Sequence, residues 1–167
     1  MTAGEFKQVY FSLHPRLYRI AFTILKNAED AEDMIQDAYF KLWDTREKLV
    51  NIQNPEAYCV TLLKNLCMDF LRSPKSILNE NNIEDYDVPD NSANIEKEIE
   101  SKETIKKIKS FIHNLPEKQQ RVLNLRGFAG CSLEEIETIT GENAVNIRVL
   151  LSRARNTLRM SLKKIEI

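Results

Sequence analysis

Apolar residues recur at helical spacing along most of this chain, and this pattern limits the folds it can adopt. One run covers residues 6–13, Pro15 interrupts it, and a second run covers residues 17–25. Glycine and proline number only 4 and 5 in 167 residues, whereas sandwiches and barrels need many turns. No apolar run approaches the roughly 20 residues of a membrane span, and Glu5 and Lys7 precede any signal-peptide core. The sequence therefore predicts an all-α, cytoplasmic protein.

Charge divides the chain into three parts. Residues 1–72 are nearly neutral, residues 73–103 hold 3 Lys/Arg against 9 Asp/Glu, and residues 104–167 hold 12 against 6. The middle stretch has few large apolar residues, so it cannot bury enough surface to offset the entropy of ordering. We predict two small helical domains, an N-terminal bundle (1–72) and a basic C-terminal domain (104–167), joined by a flexible acidic linker (73–103).

Residues that could carry catalysis or hold a metal do not cluster in the sequence. The three cysteines are an odd number without a CxxC pair, which excludes a disulfide framework and argues against a zinc site. His14 and His113 are far apart, and the carboxylates of residues 30–37 lie at a helix start, where capping explains several of them. We therefore predict that the protein is not an enzyme and has no catalytic residue, metal, cofactor or small-molecule substrate.

One predicted helix of the N-terminal domain has an unusual outer face. Asn27 is a plausible N-cap, and an apolar stripe from Ala31 to Leu42 forms the buried side. An aromatic residue among acids and an amide suits a protein-binding surface, although Phe40 and Trp43 could instead close the core from the side. The outer residues are Asp33, Gln36, Asp37, Phe40 and Lys41.

The next predicted helix opens at Asn54 and Pro55, which form a turn signal. Lys64, Asn65 and Arg72 share one side of this helix. That side could contact a nucleic-acid backbone or base edges, and an ordinary solvated face is the alternative.

The C-terminal domain has the pattern of a helix-turn-helix. After a predicted break at Gly127 and Gly130, Ser132 begins a capping box that opens a short helix. Gly141 ends that helix, and Asn143 caps a long last helix from about Ala144 to Leu162.

The last helix carries the charge expected of a DNA-recognition helix. Residues 144–167 contain six cations and one acid. The N-terminal half of such a helix reaches base edges in the major groove, and arginine pairs bidentately with guanine or phosphate. A basic helix favoured by its dipole is the alternative, but the dipole does not account for Arg148 near the helix start.

Three groups of segments resemble bacterial extracytoplasmic-function (group IV) sigma factors. The segments 30–33 (DAED) and 36–43 (QDAYFKLW) resemble the polymerase-binding helix of that family. The segments 54–58 (NPEAY), 64–66 (KNL) and 69–72 (DFLR) resemble its promoter-melting helix. The segments 115–120 (LPEKQQ), 133–136 (LEEI) and 151–155 (LSRAR) resemble its promoter-binding helix-turn-helix.

The resemblance implies a sigma subunit that binds core RNA polymerase, through the clamp coiled coil and the flap, and opens promoter DNA. A stand-alone helix-turn-helix regulator is the alternative. The implied polymerase-binding residues are Asp33, Gln36, Asp37, Phe40, Lys41 and Trp43. The implied minus-ten contacts are Leu49, Lys64, Asn65 and Arg72. The implied minus-thirty-five contacts are Ser132, Arg148, Val149, Ser152, Arg153 and Arg155.

Family membership also implies a masking partner, often a membrane-anchored anti-sigma protein. The sequence departs from the family pattern at Thr61, where arginine is common, and at Val149, which is often small and polar. Asn143 replaces the usual serine cap, and Glu142 replaces an apolar residue. These departures concern which promoter is read.

Overall fold

The structure, a computed structural model, describes residues 1–74 and 95–164, and its regular secondary structure there is entirely helical. The N-terminal half (1–74) contains α1 (Ala3–Tyr10), a 3-10 turn (Phe11–Leu13), α2 (His14–Leu25), α3 (Ala28–Asp44), α4 (Arg46–Leu49) and α5 (Pro55–Arg72). The C-terminal half (95–164) contains α6 (Ile95–His113), α7 (Glu117–Leu123), a π-helical turn (Asn124–Phe128), α8 (Leu133–Thr140) and α9 (Ala144–Lys163). The all-α prediction is confirmed, and none of these helices is long and apolar enough to cross a bilayer.

Side-chain caps set the helix starts that the sequence predicts. At the starts of α3, α5, α8 and α9, a side-chain oxygen accepts a hydrogen bond from the backbone N–H three residues later. Each cap satisfies one of the amide groups that a helix start leaves without a partner. The capping residues are Asn27, Asn54, Ser132 and Asn143.

Two stretches depart from the sequence-based expectation. The predicted break at Gly127 is wrong, because the backbone continues as the π-helical turn, in which the Ala129 N–H donates to the Asn124 carbonyl over 3.0 Å. The chain turns only at Gly130, whose φ of 68° favours glycine. Because α6 begins at Ile95, the end of the predicted linker is helical, while its residues 75–94 lie outside the described residues.

A single hydrophobic cluster runs through both halves. In the N-terminal half, α2, α3 and α5 pack on one another around Ile20, Ile35 and Leu63, none of which is measurably exposed. In the C-terminal half, α7 and α9 pack around residues such as Leu125 and Ile147, which are equally buried. The two halves meet where α5 packs against α8 and where α2 packs against the π-helical turn.

One arginine joins the two halves through a pair of carboxylates. Arg16 of α2 donates one hydrogen bond from Nη1 to Glu56 Oε1 and another from Nη2 to Glu135 Oε1. The donor–acceptor distance is 2.5 Å in each. Burial alone would lower the pKa of the Arg16 guanidinium, but hydrogen bonds and charge from Glu135 and Glu56 outweigh it and raise that pKa. We call this group the Arg16 clasp.

Replacing Arg16 by alanine is expected to loosen the packing between the halves. The change leaves the partly buried Glu135 without its cationic partner, and a broken buried pair costs more than the loss of a surface pair. Small-angle scattering should show a larger radius of gyration than that of the wild type, for which a compact chain of this length predicts about 15 Å.

Arg46→Ala is the matched control, because the contacts that Arg46 makes with the Trp43 ring and the Trp43 carbonyl lie within its own half. Added salt screens the clasp, so it should increase the radius of gyration of the wild type and leave that of Arg16→Ala little changed. Equal radii for wild type and Arg16→Ala at low salt would show that the clasp does not hold the halves together.

Candidate polymerase and DNA interfaces

The outer side of α3 presents acids around one exposed aromatic ring. Asp33, Gln36 and Asp37 are exposed, and Phe40 is 74% exposed, whereas the stripe on the opposite side of α3 is buried. Hydrophobic burial normally draws a phenylalanine inward, so a ring this exposed on a well-packed helix lacks a structural explanation within the fold. We call these four residues the acidic-aromatic face, and Lys41 lies exposed beside it.

Trp43 holds an intermediate position between this face and the core. Its ring meets Phe6 edge-on, with centroids 5.1 Å apart, and it remains 37% exposed. The Arg46 guanidinium lies 4.2 Å from the ring centroid, which suits a cation–π contact. Thus Trp43 helps to close the core from the side, one of the two alternatives that the sequence left open, whereas Phe40 does not.

The predicted minus-ten residues separate into accessible and buried positions. Asn65 and Arg72 are exposed and Lys64 is half-buried, so α5 presents all three at its surface. Arg72 lies 4.0 Å from Asp69 in an exposed pair, which contributes almost nothing to stability and leaves the guanidinium free to rearrange. Leu49 is only 3% exposed and packs in the hydrophobic cluster, so its side chain does not contact DNA in this conformation.

The outer side of α9 forms a basic surface. Arg148, Ser152, Arg153 and Arg155 are all exposed, and Val149 is 38% exposed. A concavity of about 500 Å³ lies along this side, and five arginines line it. Ser132 is exposed at the start of α8, where its hydroxyl accepts the Glu135 N–H at 3.1 Å. We call the lining arginines the arginine concavity: Arg126, Arg148, Arg153, Arg155 and Arg159.

Two members of the arginine concavity are absent from the sequence-based site. Arg159 lies exposed on α9 and lines the concavity. Arg126 belongs to the π-helical turn, where its Nη1 donates to the Cys131 carbonyl over 2.9 Å. Periodicity within α9 cannot reveal Arg126, because the turn that carries it packs against α8, and α8 in turn packs against α9.

Comparison with known proteins matches both halves. Residues 9–76 match Sigma-70 region 2, and residues 105–158 match Sigma-70 region 4. The RNA polymerase sigma factor SigV of Bacillus subtilis is 31% identical over 149 residues, covering 88% of this chain and 84% of SigV. The chain belongs to the extracytoplasmic-function sigma factors. The ECF RNA polymerase sigma factor SigE of Mycolicibacterium smegmatis is 28% identical, covering 89% of this chain and 58% of SigE.

Two solved structures share the fold of this sigma factor. RpoE of Bartonella quintana, solved with the anti-sigma factor NepR, has a TM-score of 0.63 and 24% identity, covering 96% of this chain and 98% of RpoE. CnrH, solved with the cytosolic domain of CnrY, has a TM-score of 0.57 and 16% identity, covering 98% of this chain and 90% of CnrH.

As a sigma factor, the protein binds core RNA polymerase and directs promoter-specific initiation of transcription. Region 2 occupies the half that a stand-alone helix-turn-helix regulator would use for a ligand or dimerisation module, so nothing favours that alternative. The family is not enzymatic, and the described residues contain no group of three or more His, Cys, Asp or Glu side chains that could hold a metal.

The three cysteines of this sigma factor are inert core residues, as their isolated positions suggest. Cys59, Cys67 and Cys131 are buried and free. Burial raises the pKa of each thiol to about 12. Thiolates are therefore scarce at neutral pH, and without them the cysteines are poor nucleophiles and poor metal ligands.

The structure explains why this sigma factor tolerates an acid at Glu142, where the family usually has an apolar residue. Glu142 Oε1 lies 3.0 Å from Lys118 Nζ of α7, and Oε2 accepts a hydrogen bond from the Asn146 amide nitrogen in the first turn of α9. Hydrogen bonds from Lys118 and Asn146 lower the pKa of Glu142 below its ordinary 4.5. The acid therefore braces the start of α9 and has its charge balanced locally.

Lys118→Met is expected to raise the pKa of Glu142 toward its ordinary value. Because the folded-state pKa of Glu142 is depressed, its contribution to stability is present above about pH 4.5 and is lost as the pH falls through the folded-state pKa. Carboxyl NMR titration would measure the shift, with Lys163→Met as the control at a distant exposed lysine. An unchanged titration of Glu142 in Lys118→Met would contradict the ion pair.

Proposed function

We propose that this sigma factor divides promoter recognition between its two halves. Residues 1–72 bind core polymerase and handle the minus-ten element, and residues 104–167 recognise the minus-thirty-five element. The observation that carries this division is the separation of the acidic-aromatic face from the arginine concavity, since each lies on its own half.

The acidic-aromatic face is the docking site for the clamp coiled coil of the polymerase. An aromatic anchor surrounded by polar side chains is typical of a binding hot spot in a protein interface. Phe40 supplies the anchor, Asp33, Gln36 and Asp37 supply the surrounding polar groups, and Lys41 and Trp43 flank it.

The exposed side of α5 handles the minus-ten element. Asn65 offers an amide that can pair with the edge of a base displaced from the stack. Lys64 and Arg72 steer the backbone of the separated strand. Since Leu49 is buried, the loop that follows it contributes through its exposed residues, of which Val50 is 64% exposed.

The arginine concavity and α9 read the minus-thirty-five element. Arg148, Val149, Ser152 and Arg153 face the base edges, while Ser132 and Arg155 hold phosphates. Arg126 and Arg159 extend the same positive surface and add phosphate contacts.

The packing of the halves against each other is a resting arrangement. The two promoter elements lie about 25 base pairs apart, or about 85 Å at ~3.4 Å per base pair. A compact chain of this length is only about 40 Å across. The Arg16 clasp and the contact between α5 and α8 must therefore separate before both elements are bound.

An anti-sigma protein, often membrane-anchored in this family, masks these surfaces when the sigma factor is inactive. Support comes from the two structural relatives, each of which was solved with an anti-sigma partner or a cytosolic partner domain. In this proposal the protein acts in the cytoplasm, selects promoters, and catalyses no reaction of its own.

Run-off transcription tests the proposal directly. The purified protein is mixed with core RNA polymerase and a fragment library of its own genome, and a reaction without the protein is the control. Discrete transcripts that depend on the protein are expected, and the sequences upstream of their start points define the two promoter elements.

The absence of transcripts, with DNA binding retained, would contradict the proposal. A core-binding assay would then separate two explanations. Bound core would indicate a sigma factor that needs an activator, and unbound core would indicate a stand-alone regulator.

A further inference from the structure

The start of α9 carries two exposed apolar side chains that the core does not explain. Val145 is 69% exposed and Val149 is 38% exposed, although Ile147 and Leu151 on the inner face of the same helix are buried. Residues four positions apart on a helix are neighbours on one face. The two side chains therefore form one apolar strip, which we call the valine ridge.

Two arginines flank the valine ridge. Arg148 lies between the two valines in the sequence, and Arg153 follows one turn later, both exposed and both lining the arginine concavity. The centre of a protein-binding patch is normally depleted of charge. Like charges of this density favour a polyanion, so we assign the ridge to duplex DNA rather than to a protein partner.

We propose that the valine ridge reads the 5-methyl group of thymine in the major groove of the minus-thirty-five element. This inference rests on the proposed assignment of α9 to that element. Among the four bases only thymine presents a methyl group in the major groove, and apolar side chains are its usual contacts. The first turns of a recognition helix are the part that reaches base edges.

The geometry of the ridge suits two neighbouring base pairs. Four residues of helix advance by about 6 Å along the axis. This distance is close to the rise of two base pairs at ~3.4 Å each. A valine on a helix also holds one strongly preferred χ1 rotamer, so the ridge presents its methyl groups with little loss of side-chain entropy on binding.

Readout of a thymine methyl group would explain why position 149 carries valine where the family often has a small polar residue. A small polar residue at that position would offer a hydrogen bond but little apolar surface. Val145 and Val149 together instead offer a surface that distinguishes thymine from cytosine by its methyl group alone, which implies at least one contacted A·T pair in the element.

Replacing thymine by deoxyuridine tests the valine ridge, because this removes the methyl group and keeps the base pairing. Promoter duplexes recovered by run-off transcription are synthesised with thymine or with deoxyuridine throughout the region upstream of minus twenty-five. Holoenzyme assembled from the full chain and core polymerase is titrated against each duplex. We expect wild-type holoenzyme to bind the thymine duplex about fourfold more tightly than the deoxyuridine duplex for each contacted methyl group. This ratio corresponds to ~0.8 kcal/mol per buried carbon.

The variant Val145→Ser with Val149→Ser is expected to bind both duplexes equally. Met160→Ser is the matched control, since Met160 is 58% exposed on the same helix but far from its start, and it should keep the full preference. Because both valines are exposed, the double variant should stay folded, which circular dichroism checks. The comparison of duplexes with wild-type protein needs no variant at all.

Two outcomes would overturn the inference in distinguishable ways. Equal binding of thymine and deoxyuridine duplexes by wild type, with affinity still reduced in Arg148→Ala, would refute the valine ridge and keep the minus-thirty-five assignment. Equal binding of the two duplexes by wild type, together with unchanged affinity in Arg148→Ala, would refute both the valine ridge and the minus-thirty-five assignment.

Discussion

Alanine in place of both Arg148 and Arg153 is expected to lower the preference of the holoenzyme for promoter over non-promoter DNA about a hundredfold. Both side chains are exposed on the outer side of α9 and line the arginine concavity. A bidentate arginine contact to a base edge contributes about 1–3 kcal/mol of discrimination. Two contacts of about 1.4 kcal/mol each correspond to that hundredfold loss. Footprinting and run-off transcription in the presence of competitor DNA measure the effect.

Binding to core polymerase should be unchanged in this double variant, because the acidic-aromatic face lies on the other half. Lys163→Ala with Lys164→Ala is the matched control, since it removes two exposed cations from the end of the same helix. That control should lose some non-specific affinity and keep its promoter preference. An unchanged footprint in Arg148→Ala with Arg153→Ala would remove these residues from the recognition surface.

Local chemistry made four helix starts predictable from the sequence. The caps at Asn27, Asn54, Ser132 and Asn143 each depend on a hydrogen bond within three residues of the chain. Such a bond forms whatever the rest of the fold does, so residue type and spacing are sufficient to predict it. The helix-turn-helix followed from these caps and from Gly141, whose φ of 76° ends α8.

Contacts between distant parts of the chain were not predictable in the same way. Arg16 pairs with Glu56 and Glu135, which lie 40 and 119 positions away, and neither spacing appears as a periodicity. Arg126 joins the arginine concavity because the π-helical turn packs against α8, which itself packs against α9. These positions depend on tertiary packing, which a pattern along one segment does not contain.

Leu49 shows that a resemblance implies a residue without settling whether its side chain is accessible. The resemblance implies it as a minus-ten contact, yet its side chain is 3% exposed while Val50 beside it is 64% exposed. At the end of a short helix such as α4, a shift of one residue decides which side chain faces the core. The resemblance implies the residue but does not fix that rotation.

Reversing one charge and removing one ring on the acidic-aromatic face is expected to weaken binding to core polymerase strongly. The variant Asp37→Arg with Phe40→Ala replaces an exposed carboxylate by a cation and deletes the 74% exposed anchor. Truncation of a hot-spot residue in a protein interface costs at least about 2 kcal/mol of binding free energy. Repulsion between like charges adds to this loss. We therefore expect the affinity for core to fall at least about a hundredfold, which co-elution and fluorescence titration can measure.

The protein itself should remain folded, because surface substitutions that touch no buried group change stability by only about 0.5 kcal/mol. Glu47→Arg with Val50→Ala is the matched control, since it makes the same two kinds of change on the same half, at an exposed acid and a 64% exposed apolar residue. The control should co-elute with core as the wild type does. Retained co-elution of Asp37→Arg with Phe40→Ala would mean that the polymerase binds elsewhere, whereas loss in both variants would mean that the surface is wider than these four residues.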